Sequence, residues 1–247
     1  MTTISKQYEV IPLIYDHIMS NLDYDAWADY LLEIVDNFCA RSGTVLEIAA
    51  GTGKIANILN SKFPLYFTTD LSLSMLQVNT NNKLKKVCCD MTALPFSCKF
   101  DVILCAFDSI NYLTSVEKLS AFFNEIRNSL SDEGIFTFDA ALEQNSIKHA
   151  RSFNIKDKYR DIKYSQRSEY DSKARVHKNT FTFTMKDGSE IIEVHKQKIY
   201  PFELYFNLID KAGLYVADCF DAFSFDKGTP DSDRIQFILK KNKYADI

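Results

Sequence analysis

A chain of 247 residues with 46% hydrophobic content is long enough to bury a full core, as one large domain or a domain with a subdomain. Its formal charge of −4, with Lys and Arg scattered among Asp and Glu, argues against a nucleic-acid duplex as the main partner. The longest apolar runs, such as Val102 to Phe107, are too short to span a bilayer and Met1 to Glu9 lacks a signal-peptide pattern, so no membrane partner is expected and the cytoplasm is the default.

Apolar residues at Ile11, Ile14, Tyr15, Ile18, Met19 and Leu22 predict a short amphipathic helix over Tyr8 to Leu22, with Pro12 near its start. Trp27, Tyr30, Leu31, Ile34, Val35 and Phe38 predict a second helix, ending before Arg41-Ser42-Gly43. From Thr44 to Ala56 an apolar run breaks into a small-residue turn and restarts with helical periodicity. Gly51 and Gly53 let the backbone turn sharply and approach a ligand; strand, glycine turn and helix together form a nucleotide-site geometry.

Glu47 lies inside that first strand's end, and Asp70 ends the next apolar run, Leu65 to Thr69. A carboxylate at the tip of the second strand, roughly 20 residues after the turn, suits a ribose in a doubly wound sheet. Ser72 is placed to cap the helix through Met75, and Lys85 to Cys89 reads as a third strand with Asp90 after it. Phe100 to Phe107 is a fourth strand that leaves through Asp108, Asn111 and Tyr112. Thr114 to Glu117 reads as a capping box before a helix, and Ile135 to Asp139 as a fifth strand. The alternation predicts a parallel sheet with right-handed crossovers.

Residues 140 to 157 are polar without a clear period and read as a connection. Val176 to Met185 and Glu190 to Tyr200 then alternate around Lys186-Asp187-Gly188-Ser189, a hairpin signal, with Ile162 to Tyr170 as a third antiparallel strand. Taking Asp187-Gly188 as a two-residue turn sets Phe183 opposite Ile192 and Phe181 opposite Val194, and sends His195 to a polar face with the threonines. Pro201 opens a helix that Gly213 closes, and Leu214 to Phe223 and Arg234 to Leu239 read as two closing strands.

The segment Glu47-Ile48-Ala49-Ala50-Gly51-Thr52-Gly53 resembles the first motif of class I S-adenosylmethionine-dependent methyltransferases, and Thr69 to Leu76 their second. Cys89 to Phe96 and Phe100 to Asp108 resemble the third and fourth, in the right order. One departure is Ala49, where the family usually has its first glycine. The resemblance implies a doubly wound, seven-stranded Rossmann-like α/β sheet with an inserted antiparallel β lid. It divides the chain into a helical cap (1–40), a cofactor domain (41–145 and 201–247) and a β insert over the substrate (146–200).

It also implies S-adenosylmethionine as cofactor. Glu47 is expected near the methionine amine, the backbone of Ala49, Gly51 and Gly53 around the amino-acid end, Asp70 at the ribose, and Asp90 with Met91 at adenine. Leu71 and Met75 would wall the adenine pocket, Phe107 would offer its ring to the sulfonium, and Tyr15 would touch both ligand and substrate. Asn111 and Tyr112 are further substrate candidates, and Asp108 and His195 are the candidates for catalysis. The expected acceptor is a small molecule, with an amine mildly preferred; no metal is expected, because the six cysteines and four histidines show no ligand spacing. The glycine pattern alone also permits a nicotinamide-dependent oxidoreductase, and a regulator that keeps S-adenosylmethionine without catalysis fits the same motifs. An RNA-directed enzyme would need a continuous basic groove. Oligomeric state is not written in these residues.

Overall fold

A computed structural model describes residues 2–39, 43–152 and 154–241; of the expected break at Arg41-Ser42-Gly43, Arg41 and Ser42 lie outside the described residues. The chain starts with β1 (Thr2–Ile4), passes a 3-10 turn at Ile11–Leu13, and forms α1 (Tyr15–Ile18) and α2 (Tyr24–Phe38). The single helix expected over Tyr8 to Leu22 is therefore split. Pro12 sits at the start of the 3-10 turn, and the Val10 and Ile11 N–H groups go to the carboxylate of Glu193, far along the chain, rather than into a helix. At α2, Asp23 supplies the cap by accepting the Ala26 N–H at 2.9 Å.

The alternating unit follows as β2 (Thr44–Glu47), α3 (Lys54–Leu59), β3 (Leu65–Asp70), α4 (Leu73–Val78), β4 (Lys85–Cys88), β5 (Phe100–Cys105), α5 (Val116–Ser129) and β6 (Leu130–Ala141). Ser72 caps α4 through the Met75 N–H. The cap of α5 is Ser115 rather than Thr114: its Oγ accepts the Lys118 N–H at 3.3 Å, one residue later than the expected box. Residues 140 to 157 are not a plain connection. They finish β6, form α6 (Glu143–Ser152) and begin β7 (Asn154–Tyr159), an edge strand so exposed that it carries no apolar alternation to read.

The chain ends with β8 (Ile162–Asp171), β9 (Val176–Thr184), β10 (Glu190–Lys198), α7 (Phe202–Lys211), β11 (Leu214–Asp221) and β12 (Arg234–Lys241). Pro201 precedes α7, and Gly213, at φ 73°, follows it in the left-handed conformation that ends helices.

Two sheets result. The larger has the order β11-β12-β6-β5-β2-β3-β4, with β12 and β11 antiparallel and the rest parallel. Its order reverses between β2 and β5, which opens a crevice at their carboxyl ends. Phe122, Phe123, Phe136, Phe138 and Phe237 are fully buried between sheet, α5 and α7, each contributing roughly 1.5–3 kcal/mol. On the other face, Leu31, Ile34 and Val35 of α2 pack with Ile55 and Leu59 of α3 on Val45, Val102 and Leu104. This packing on both faces fixes where the strand ends stand.

The smaller sheet has the order β1-β10-β9-β8-β7, with β1 parallel to β10 and the rest antiparallel. The amino-terminal cap is thus not purely helical, since its first strand belongs to this sheet. The hairpin register also differs from expectation. Gly188 N–H bonds to Met185 O at 3.0 Å and Met185 N–H to Ser189 O at 2.9 Å, with Gly188 at φ 81°, so the loop has three residues and a bulge. Phe183 pairs with Ile191 and Phe181 with Glu193. One residue of slip turns every side chain of β10 over. Glu193 and His195 therefore share the buried face with Phe181 and Phe183, and His195 is not among the solvated threonines.

Candidate active site

The crevice end of β2 runs into a turn with Ala49 at φ 54°, Gly51 at φ 57° and Gly53 at φ 70°. Two of its positions are glycine for a steric reason. A Cβ at Gly51 would stand 3.2 Å from Met75 Cε, and one at Gly53 only 2.3 Å from Asn79 Nδ2. Asn79 buttresses the turn by donating to Thr52 O at 3.0 Å, a role its sequence position does not reveal. Ala49 takes its left-handed conformation despite a Cβ, which costs roughly 1–2 kcal/mol.

Asp70, at the end of β3, accepts the Gly51 N–H on Oδ2 and the Ser72 N–H on Oδ1, each at 2.8 Å. Burial raises its pKa, against the pull of those N–H groups. A carboxylate has about four acceptor sites, so lone pairs remain for a ribose diol. Glu47 is buried beneath the turn with Tyr66 O–H donating to it at 2.6 Å. Burial pushes its pKa to about 7; the Tyr66 bond lowers it and the charge of Asp70 raises it. Asp90, exposed after β4, accepts the Thr92 N–H and hydroxyl, while Met91 is half-buried beside it. Leu71 is 71% exposed and Met75 is buried under the turn, so the two expected wall residues face different surroundings.

At the exit of β5, Phe107 and Asp108 take successive left-handed conformations at φ 60° and 46°. Phe107 packs against Trp27 at 4.4 Å and Tyr24 at 5.6 Å between ring centroids. Asp108 is held on both oxygens, with Arg234 Nη2 at 2.7 Å from Oδ1 and Gln197 Nε2 donating to Oδ2 at 2.5 Å. Arg234 also pairs with Asp139, whose Oδ2 accepts the Asp108 N–H at 2.7 Å. That ion pair occupies the carboxylate that a free general base would need. Arg234, Asp139 and Gln197 escape sequence reasoning because they come from β12, β6 and β10 and meet only in the fold.

Asn111 is a correction. It is fully buried, donates to Ala141 O and Lys198 O, and accepts the Ala141 N–H, so it clamps the two sheets together and has no amide group to offer a substrate. Tyr112 stays in the site, with its hydroxyl 3.5 Å from His195 Nδ1. His195 is buried with Tyr8 edge-on at 4.7 Å. Tyr8, Tyr15 and Tyr112 have their pKa values raised, in each case chiefly by burial, and all three feel the charge of Asp70. The N-terminal strap that carries Tyr8 and Tyr15 packs on the small sheet through Val10, Ile11 and Ile14 against Phe181 and Phe183. Asp16 bonds it to the glycine turn through Thr52.

A turn with three left-handed residues, a carboxylate at the next strand end and the packed rings of Tyr8, Tyr112 and His195 beside them fit an adenosine-bearing cofactor with a charged amino-acid end. Comparison with known proteins agrees. Residues 45–134 match a methyltransferase domain family. YqeM of Bacillus subtilis strain 168, whose name states a methyltransferase and no substrate, is 26% identical over 96% of this chain and 98% of its own length. An S-adenosylmethionine-dependent methyltransferase from Clostridium acetobutylicum superposes with a TM-score of 0.78 at 25% identity, over 95% of this chain and 98% of that one. The sugar N-methyltransferase KedS8 from Streptoalloteichus shares the fold, with a TM-score of 0.74 at 19% identity, over 94% of each chain. Among the described residues no helix is long and apolar enough to cross a membrane. The chain carries a methyltransferase domain over residues 45–134, resembles S-adenosylmethionine-dependent methyltransferases over nearly its whole length, and takes S-adenosylmethionine as its cofactor.

Proposed function

We propose that this enzyme methylates a small molecule in the cytoplasm, at an amine in preference to a hydroxyl. The observation that carries the reading is the cover. The strap from Tyr8 to Ile18 supplies Tyr8 and Tyr15, β10 supplies His195 and the turn after β5 supplies Tyr112; gathered beside the glycine turn, these side chains suit a compact acceptor rather than a polymer. The preference for an amine draws on the fold shared with the sugar N-methyltransferase KedS8.

In this reading the large sheet is the cofactor domain, and the cap and insert form the cover. Asp70 takes the ribose hydroxyls, the turn from Ala49 to Gly53 takes the amino-acid end with Glu47 beneath it, and Asp90 with Met91 takes adenine. Leu71 borders that pocket from the solvent side, and Met75 supports the turn from below. Phe107 and Tyr15 border the sulfonium. S-Adenosylmethionine, when bound, supplies a methyl group already activated by a positive sulfur. The protein's work is then alignment of the acceptor and exclusion of water. Asp108, fixed by Arg234 and Gln197, anchors cover to sheet at the β5 end.

The test is transfer from methyl-labelled S-adenosylmethionine to a panel of primary amines and alcohols, with total RNA in a parallel reaction. Label in a small amine is expected. Label in RNA alone would overturn the reading.

A further inference from the structure

The buried face of the small sheet holds a row of hydrogen-bonding groups that the cofactor contacts leave unused. Glu193, fully buried on β10, accepts the Val10 and Ile11 N–H groups on Oε1, the latter at 3.1 Å, and faces His195 Nε2 with Oε2 at 3.2 Å. Burial opposes its charge, but the bonds from His195 and the two backbone N–H groups win and hold its pKa below the usual range. An ionised carboxylate only accepts, so the proton between them sits on His195 Nε2. His195 Nδ1 then presents a lone pair, and the group facing it is the Tyr112 hydroxyl at 3.5 Å. Catalytic hydrogen bonds of that length shorten once substrate is seated.

The surroundings hold this order in place. Tyr8 stands edge-on to the imidazole at 4.7 Å and Phe181 at 5.4 Å, and Asn179 is the cross-strand neighbour. Among the described residues, the titratable groups facing His195 are Tyr8, Tyr112 and Glu193. Tyr112 stands in the 3-10 turn that leaves β5, four residues after Asp108; burial raises its pKa first, and the charges of Asp108 and Asp70 add to it.

We propose that Tyr112 receives the acceptor's departing proton while passing its own to His195, and that Glu193 is the positioning residue that fixes the imidazole's tautomer. The proposal rests on the small-molecule methyltransferase reading above. As the acceptor's lone pair bonds to the methyl carbon, the carbon–sulfur bond breaks with its electron pair left on sulfur. The acceptor N–H proton moves to the Tyr112 oxygen and the Tyr112 proton moves to His195 Nδ1. One proton leaves the acceptor, one arrives on the imidazole, and Tyr112 ends unchanged. The imidazolium is balanced by Glu193 until the proton returns to solvent. Asp108 does not compete for this task, because Arg234 and Gln197 hold both of its oxygens.

The test uses full-length protein with ¹⁵N-labelled histidine, saturated with S-adenosylhomocysteine, and reads the His195 ring by proton–nitrogen correlation at mildly alkaline pH. The Nε2–H tautomer is expected in the parent, with a shift toward Nδ1–H in Glu193→Gln. With the amine found in the panel, Tyr112→Phe and His195→Gln are expected to lower kcat by about 10²-fold. Their affinity for S-adenosylmethionine should stay at the parent value. Should Glu193→Gln fail to fold, the parent tautomer and the Tyr112→Phe kcat still decide. An Nδ1–H tautomer in the parent, or an unchanged kcat in Tyr112→Phe, overturns the relay while leaving the methyltransferase reading intact. Failure of the parent to bind S-adenosylmethionine would strike that reading instead.

Discussion

The Thr52 hydroxyl donates to Asp16 at 2.7 Å, and Lys54 Nζ stands 2.8 Å from the same carboxylate, so the strap over the crevice is bonded to the glycine turn itself. Strap and glycine turn are mechanically one unit. Asp16→Ala should weaken S-adenosylmethionine binding by about 1–2 kcal/mol, mainly through the Thr52 bond, since the half-exposed Lys54 pair is screened by solvent. Calorimetry checks this. Unchanged affinity would show that the strap closes independently of the turn.

Ala49→Gly offers a test of strain. Its φ of 54° is costly for alanine and free for glycine, whereas glycine loosens the unfolded chain by about 0.4–1 kcal/mol. The balance predicts stability equal to the parent or higher by up to about 1 kcal/mol, where an ordinary buried Ala→Gly change lowers it. Thermal or denaturant unfolding reads the sign.

Glu47 makes stability depend on pH. Its folded pKa of about 7 lies above the ordinary value of 4.5, so the native state binds more protons than the unfolded state between those values. Stability from this group is full below the unfolded pKa and is lost as pH rises through about 7, a swing of roughly 3 kcal/mol. Glu47→Gln should flatten that slope, so that the variant gains on the parent toward alkaline pH. Denaturant midpoints measured across the range provide the check; parallel profiles would contradict the assignment.

Gly188→Ala tests the three-residue loop. A Cβ there meets open space, so only the left-handed φ of 81° is strained; set against the stiffer unfolded chain, the net cost should be at most about 1.5 kcal/mol, with cofactor affinity unchanged. A larger loss, or one accompanied by weaker cofactor binding, would argue against an isolated turn.

That loop also marks where sequence reasoning stopped. The parallel strands were legible because Val45, Leu46 and Ile48 and the run Val102 to Ala106 are apolar, and the turn after the first of them carries its own glycines. Asp70 and Asp108 could be placed because each ends such a run. The hairpin was recognised but its register was not, since Asp-Gly serves a two-residue turn and a bulged three-residue loop equally well. That single residue hid the burial of Glu193 and His195. The broken helix at Pro12 depends on the Glu193 carboxylate, and the Asp108 ion pair on Arg234; partners so distant in the chain leave no local signal.

The most direct measurement is calorimetric titration of the protein and of Asp70→Ala with S-adenosylmethionine, its demethylated product and NADH. The parent should bind the first two saturably in the micromolar range, roughly −8 kcal/mol, and NADH not at all. Asp70→Ala should lose about 1–3 kcal/mol of that affinity through missing charge-assisted hydrogen bonds. Equal affinity in Asp70→Ala, or binding of NADH in place of S-adenosylmethionine, would contradict the site described.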